Sequence, residues 1–164
     1  MYRGWWVVIA AFVVMFLGFG CAYSFTTFFP ELQREFDASH ATVSLIFSIA
    51  GFLYFGLGAL SGMVADRTGP RWVSAAGMAV LGLGLTVASF ATDLVVLYVG
   101  LVLGIGVGVG LSYVPSIGSV QPWFTVRRGL ASGIAVSGIG VGTLLGPILA
   151  SAGIGAFGWR TTFL

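Results

Sequence analysis

The side chains in this sequence that could do acid–base or metal chemistry are few and scattered. The chain has 164 residues, with seven Arg, no Lys, five Asp or Glu, one His and one Cys. An enzyme that uses a metal or a general acid and base needs such groups close together. His40 stands alone in a polar turn, where it fits a residue at a membrane surface or a proton-handling group. We therefore expect neither an enzyme nor a cofactor or metal site.

Hydroxyl groups inside long uncharged stretches are the other side chains whose chemistry matters. A hydroxyl can hold a carboxylate by hydrogen bonds without adding charge. It can equally bond one helix to another, and the sequence leaves both roles open for each residue. Tyr23 and Tyr113 stand out because they are large, polar-tipped and near the middle of their stretches.

The charged residues divide the chain into uncharged stretches that must position these hydroxyls. The stretches are residues 4–30, 38–65, 72–92, 94–126 and 129–159. Each suits one bilayer-spanning helix of about 20 residues, and each must be helical because backbone groups in lipid need partners within their own segment. The predicted fold is an all-α membrane protein with a single transmembrane domain over residues 1–164. Its predicted spans are residues 5–29, 41–65, 72–91, 94–121 and 129–157, and residues 161–164 are expected to begin a sixth.

Glycines four residues apart in these stretches predict close contact between helices. Small residues at this spacing lie on one helical face, so a neighbouring backbone can approach. The series are Gly58 and Gly62; Gly100, Gly104 and Gly108; Gly106 and Gly110; and Gly138, Gly142 and Gly146. Because the fourth span carries two such faces, we expect it to be held between two neighbours.

The arginines predict the orientation of the chain in the membrane. With alternating spans, five arginines fall on the side of the N-terminus and two, Arg34 and Arg160, on the other. Loops rich in Lys and Arg stay on the cytoplasmic side. We therefore expect a multi-pass protein of the plasma (cytoplasmic) membrane with its N-terminus in the cytoplasm.

The junction between the second and third spans carries a recognisable motif. Its fixed positions are Gly62, Asp66, Arg67, Gly69 and Arg71. The pattern resembles the G-x-x-x-D-R-x-G-x-R signature of the major facilitator superfamily, at the same place in the topology. In that family the element latches two halves of the transporter together on the cytoplasmic side. The resemblance implies the same role for these residues, with the arginines able to pair with the aspartate.

Two further segments resemble the monocarboxylate and oxalate/formate-type carriers of that superfamily. One is the opening Gly-Trp-Trp at residues 4–6. The other is the entrance to the fifth span, which contains Arg127, Arg128, Gly129 and Gly133. The whole chain is therefore similar to the N-terminal half of a twelve-span carrier, and we expect it to be a truncated sequence that lacks the C-terminal transmembrane half.

The resemblance implies a secondary active transporter that moves small mono- or dicarboxylates by alternating access, as a symporter or an antiporter. Spans one, two, four and five line the cavity in that family. The cavity candidates are then Tyr23, Thr26, Thr27, Tyr54, Ser112, Tyr113 and Ser116. Tyr23 falls at about the position of a Lys in animal lactate carriers, and this departure argues against lactate–proton coupling through this helix. The alternatives are a facilitator for a different small solute, and a non-transporting receptor or channel subunit.

Overall fold

The computed structural model describes residues 3–164, which form helices joined by short turns. In chain order the helices are α1 (Arg3–Phe36), α2 (His40–Thr68), α3 (Pro70–Ser89), α4 (Leu94–Trp123), α5 (Arg128–Phe157) and α6 (Trp159–Thr162). Helices α1 to α5 are each long and apolar enough to cross a membrane, and no strand occurs within residues 3–164. The prediction of an all-α protein with five membrane-spanning helices is confirmed, and α6 lies where a sixth span was expected to begin.

Polar caps and one glycine turn fix where the helices begin and end. Ser39 Oγ accepts a hydrogen bond from the Thr42 N–H at 3.1 Å, at the start of α2. Asp93 Oδ1 accepts one from the Val96 N–H at 2.9 Å, at the start of α4. Gly69 has a φ of +94°, a conformation that glycine adopts without steric cost, and it alone connects α2 to α3. These caps satisfy backbone N–H groups that have no partner within the helix.

Helix α4 changes its winding along its length. An α-helical stretch (Leu94–Leu101) leads into a π-helical turn (Val102–Val107), a second α-helical stretch (Gly108–Val120) and a 3₁₀ turn (Gln121–Trp123). A π-helical turn contains more residues than an α-helical one. The residues after it are therefore rotated about the helix axis relative to their positions in a continuous α-helix. This rotation decides which side chains of the second α-helical stretch face α1 and α2 and which face α3.

Glycines on α4 allow both of its neighbours to approach closely. On one face, a Cβ added at Gly108 would lie 2.7 Å from the Leu81 nitrogen of α3. On another face, a Cβ added at Gly110 would lie 3.1 Å from Tyr54 Cα of α2. Real Cβ atoms essentially never lie as close as the Gly108 contact, which therefore requires glycine, and the Gly110 contact is tighter than most that real Cβ atoms make. The prediction that the fourth span is held between two neighbours is confirmed.

A second glycine seam joins α5 to α1. A Cβ added at Gly146 would lie 2.6 Å from the Gly20 carbonyl oxygen, and one at Gly142 would overlap the Phe16 carbonyl oxygen. Helix α5 remains continuous through Pro147. Helices α1 and α4 thus each lie against more than one neighbour, and the side chains between them form the interior of the bundle.

Candidate functional site

Three tyrosines from three different helices meet around Phe19. The Phe19 ring centroid lies 6.5 Å from that of Tyr23, 6.0 Å from that of Tyr54 and 5.4 Å from that of Tyr113. Tyr23 is one turn beyond Phe19 on α1, Tyr54 comes from α2 and Tyr113 from α4. We call these four residues the tyrosine cluster. The structure therefore brings together the three tyrosines that the sequence singled out as cavity candidates.

The tyrosines of the cluster differ in how exposed they are. Tyr23 keeps 40% of its surface exposed, whereas Tyr54 keeps 3%. The phenol groups of these two residues interact with each other. Tyr113 is half-buried. The cluster thus extends from the buried Tyr54 to the exposed Tyr23, which is its most accessible residue.

Two phenylalanines that were not among the residues predicted from sequence, Phe19 and Phe47, pack on the tyrosines. Phe19 packs against all three tyrosines, and the Phe47 ring of α2 lies 6.1 Å from the Tyr23 ring. Both carry no polar side-chain atom, so they contribute ring packing to the tyrosines and no hydrogen bond. The only sequence signal for these ring contacts was that Phe19 and Tyr23 are four residues apart, a spacing that places two side chains on the same face of a helix.

Thr26 and Thr27 extend the line of hydroxyl groups along α1. Thr26 is exposed, and its Oγ1 donates a hydrogen bond to the Tyr23 carbonyl oxygen at 3.2 Å. Thr27 is half-buried. Pro30, inside α1, has no N–H to offer the Thr26 carbonyl. This carbonyl therefore lacks its usual helical partner one turn away from the tyrosine cluster.

Ser112 and Ser116 lie on a different side of α4 from Tyr113. Ser116 Oγ donates a hydrogen bond to Ser74 Oγ of α3 at 3.0 Å, and Ser112 Oγ donates one to the Gly108 carbonyl at 2.9 Å. Ser112 and Ser116 are both buried against α3. The Ser116 hydroxyl therefore bonds α4 to α3, the Ser112 hydroxyl bonds back within α4, and the structure brings neither to the tyrosine cluster.

No charged side chain belongs to the tyrosine cluster in the part of the chain that the structure describes. The ion pairs within residues 3–164 are Glu31 with Arg34 and Glu35 with Arg160, all near the ends of helices. Phenol and threonine hydroxyls can bind the oxygens of a carboxylate, but they supply no compensating positive charge. The cluster is therefore equipped to orient a small polar solute and not to neutralise an anion.

The motif at the α2–α3 junction is largely exposed. A Cβ at Gly62 would lie 3.2 Å from the Val114 side chain of α4, so this glycine serves helix packing. Asp66 and Arg67 are exposed, and the described residues contain no ion pair between Asp66 and either arginine. Arg71 lies over the Trp72 ring at 5.6 Å. The pairing that the sequence suggested is thus not formed, and the Asp66 carboxylate remains available.

The entrance to α5 also faces outwards. Arg128 Nε donates a hydrogen bond to the Phe124 carbonyl oxygen at 2.6 Å, which holds the turn before the helix, and Arg127 is exposed. Gly129 and Gly133 are exposed, with open space where a side chain would lie. This face of α5 is therefore smooth and uncovered by the described residues, in contrast to the face that packs on α1.

Comparison with known proteins places this arrangement in a family. The family model described as Major Facilitator Superfamily matches residues 8–164. The chain is 36% identical over 162 residues to Monocarboxylate transporter 3 of Mus musculus, with 98% of this chain and 33% of the relative covered.

Two human relatives are similar to the chain to the same degree. Monocarboxylate transporter 1 of Homo sapiens is 35% identical over 163 residues, covering 98% of this chain and 32% of the relative. Monocarboxylate transporter 11 of Homo sapiens is 34% identical over 161 residues, covering 98% of this chain and 34% of the relative. The chain thus spans about a third of the length of the curated relatives it matches. It is a multi-pass integral membrane protein and belongs to the Major Facilitator Superfamily.

Proposed function

We propose that residues 1–164 form the N-terminal transmembrane domain of a secondary active transporter that moves small mono- or dicarboxylates by alternating access. The observation that carries this proposal is the similarity to proteins named monocarboxylate transporters, which extends over 98% of the chain. The tyrosine cluster supports it, because the cluster offers uncharged hydrogen-bond donors in the interior of a helical bundle.

The proposed substrate site uses the tyrosine cluster as one wall. A carboxylate bound there would accept hydrogen bonds from the Tyr23 hydroxyl and from Tyr113, whose hydroxyl has no hydrogen-bond partner among the described residues. An anion in the membrane interior also needs a positive partner. We propose that this positive partner belongs to the rest of a carrier as long as the relatives, of which this chain would be about a third. That remainder would pack on the opposite side of the site.

The uncovered face of α5 supports a docking role for that remainder. Gly133 and Gly140 on α5 have open space around them, whereas Gly142 and Gly146 on the other face are closed by α1. Helices in lipid associate through such small-residue faces. Rocking of two halves about a central site then gives alternating access. The distribution of arginines supports a cytoplasmic N-terminus in the plasma membrane.

A flux measurement tests the proposed substrate. The full-length carrier, purified and reconstituted in liposomes, should take up radiolabelled lactate, pyruvate or a small dicarboxylate in a saturable way. Excess unlabelled carboxylate should compete, and an equal concentration of glucose should not. Protein-free liposomes and heat-inactivated protein are the controls. Saturable uptake of a sugar with no carboxylate flux, in protein shown to be folded, would contradict the proposed substrate class.

The motif between α2 and α3 gives a separate prediction for the transport cycle. If exposed Asp66 forms a latch with the rest of the carrier, Asp66→Asn should lower the transport rate by about tenfold while membrane insertion persists, because a charge-assisted hydrogen bond is lost. Glu31→Gln is the matched control, since within residues 3–164 Glu31 pairs with Arg34 alone, one turn away on the same helix. Equal transport rates for the two variants would exclude the latch.

A further inference from the structure

The end of the bundle that carries the α1–α2 turn is tied together by a small set of charged and aromatic side chains. Arg160 of α6 forms an ion pair with Glu35 of α1, and the indole N–H of Trp159 donates a hydrogen bond to the same carboxylate. Arg160 also donates hydrogen bonds to the carbonyl oxygens of Ala91, at 2.6 Å, and Ser89, at 3.3 Å. We call Glu35, Trp159 and Arg160 the Glu35 clasp.

The Glu35 clasp joins segments that are distant in sequence. Ser89 is the last residue of α3, so its carbonyl has no partner within the helix. A single guanidinium therefore binds the end of α3, the turn before α4 and the carboxylate on α1. Its plane also lies over the Trp159 ring, with the guanidinium carbon 4.4 Å from the ring centroid. By contrast, the ion pair of Glu31 with Arg34 joins residues one turn apart on an exposed surface.

The segment of α1 held by the Glu35 clasp lies beyond a proline. Pro30 removes one hydrogen bond from the helix between Thr26 and Glu35, which weakens the link between the two parts of α1. A second contact assists the clasp after Pro30, because the Phe36 ring lies 6.1 Å from the Trp159 ring. Without these contacts, the part of α1 after Pro30 would be free to bend relative to the part that carries Tyr23.

We propose that Glu35, Trp159 and Arg160 are positioning residues for the tyrosine cluster. They fix the last turns of α1 against α3 and α6, and they thereby set the place of Thr27 about two turns earlier and of Tyr23 about three turns earlier on the same helix. The role in substrate binding rests on the proposed function. The mechanical role does not, since it concerns only how firmly one end of α1 is held.

Thiol labelling tests the mechanical part without any assumption about substrate. In the full-length carrier with Cys21→Ser and its other cysteines replaced, Thr27→Cys places a thiol at a half-buried position before Pro30. Ser132→Cys, at a half-buried position near the start of α5, is the control reporter. In proteoliposomes treated with N-ethylmaleimide, Glu35→Ala should speed labelling at position 27 by at least about threefold, because local opening becomes easier. Labelling at position 132 should not change.

Two further variants separate the Glu35 clasp from a general loss of stability. Glu31→Ala removes a carboxylate from the same helix end without affecting a contact to α3 or α6. Labelling at position 27 should therefore be as slow as in the reporter protein that keeps both glutamates. Glu35→Gln keeps an oxygen that can accept from Trp159 and Arg160, so its labelling rate should lie between those of the wild type and Glu35→Ala. Faster labelling at both reporters, or equal rates in Glu35→Ala and Glu31→Ala, would overturn the proposal.

Transport kinetics in the same proteoliposomes test the link to the tyrosine cluster. Glu35→Ala should raise the Michaelis constant for carboxylate by about fivefold, with a smaller effect on maximal rate, because displacement of Tyr23 weakens binding. Faster labelling at position 27 with an unchanged Michaelis constant would overturn the positioning role. If the wild-type carrier transports no carboxylate, the proposed function fails, and the labelling rates still decide whether the clasp holds α1.

Discussion

Gly84→Val should prevent the bundle from folding, whereas Gly82→Val, two residues earlier on α3, should leave it intact. A Cβ at position 84 would overlap Gly104 Cα and lie 2.5 Å from the Gly100 carbonyl oxygen, and both atoms belong to the α4 backbone. At position 82, nothing lies within 4 Å of the added atom. Since backbone cannot move aside as a side chain can, the expected destabilisation is on the order of 4 kcal/mol.

The two glycine variants can be compared by yield and by thermal unfolding in mild detergent. Gly82→Val should elute as a single symmetric peak with wild-type unfolding temperature, and Gly84→Val should be recovered only as aggregate. Gly84→Ala is a milder probe at the same place and should give folded protein with a lowered unfolding temperature. Wild-type behaviour of Gly84→Val would mean that α3 and α4 do not approach as closely as the structure shows.

The arrangement of helices could be predicted because lipid imposes strict rules on sequence. Long uncharged stretches must be spanning helices, and residues such as Ser39 and Asp93 mark their starts. Glycines four residues apart mark the faces where backbones meet, as at Gly108 and Gly110. These signals are local in sequence, so no knowledge of the packed bundle is required to find them.

The sequence did not show which side chains of α4 face α1 and which face α3. The π-helical turn at Val102–Val107 changes the rotation of the helix beyond it, and nothing in the residue spacing reveals its position. Ser112 and Tyr113 were therefore equally good cavity candidates by sequence. In the structure Ser112 is buried against α3 while Tyr113 packs on Phe19 of α1.

Contacts between distant segments were also beyond sequence reasoning. Glu35 and Arg160 are separated by 125 positions, and each occurs in a short polar segment of the sequence that by itself indicates only a helix end. Conversely, the proximity of Asp66 to Arg67 and Arg71 in sequence suggested a pairing that does not form. Charged side chains at membrane surfaces can reach several partners or water, so spacing along the chain is a weak guide to which pair forms.

The hydroxyl of Tyr23 should matter more for transport than that of any other tyrosine. We expect Tyr23→Phe to raise the Michaelis constant for carboxylate about tenfold with little change in folded protein, because a hydrogen bond to a charged group is lost while the ring remains. The ring contacts with Phe19 and Phe47 do not involve the hydroxyl, so the packing of α1 on α2 should persist.

Tyr98→Phe is the matched control, since it removes a hydroxyl from α4 that donates to the Thr42 carbonyl of α2 rather than to the tyrosine cluster. That variant should lose about 1 kcal/mol of stability and keep the wild-type Michaelis constant. Tyr23→Phe should weaken substrate binding, and its loss of stability should not exceed that of Tyr98→Phe, because the Tyr23 hydroxyl also interacts with that of Tyr54. If both variants lose stability and neither changes the Michaelis constant, the phenol groups around Phe19 serve packing alone. The carboxylate site would then have to lie on another face of the cavity.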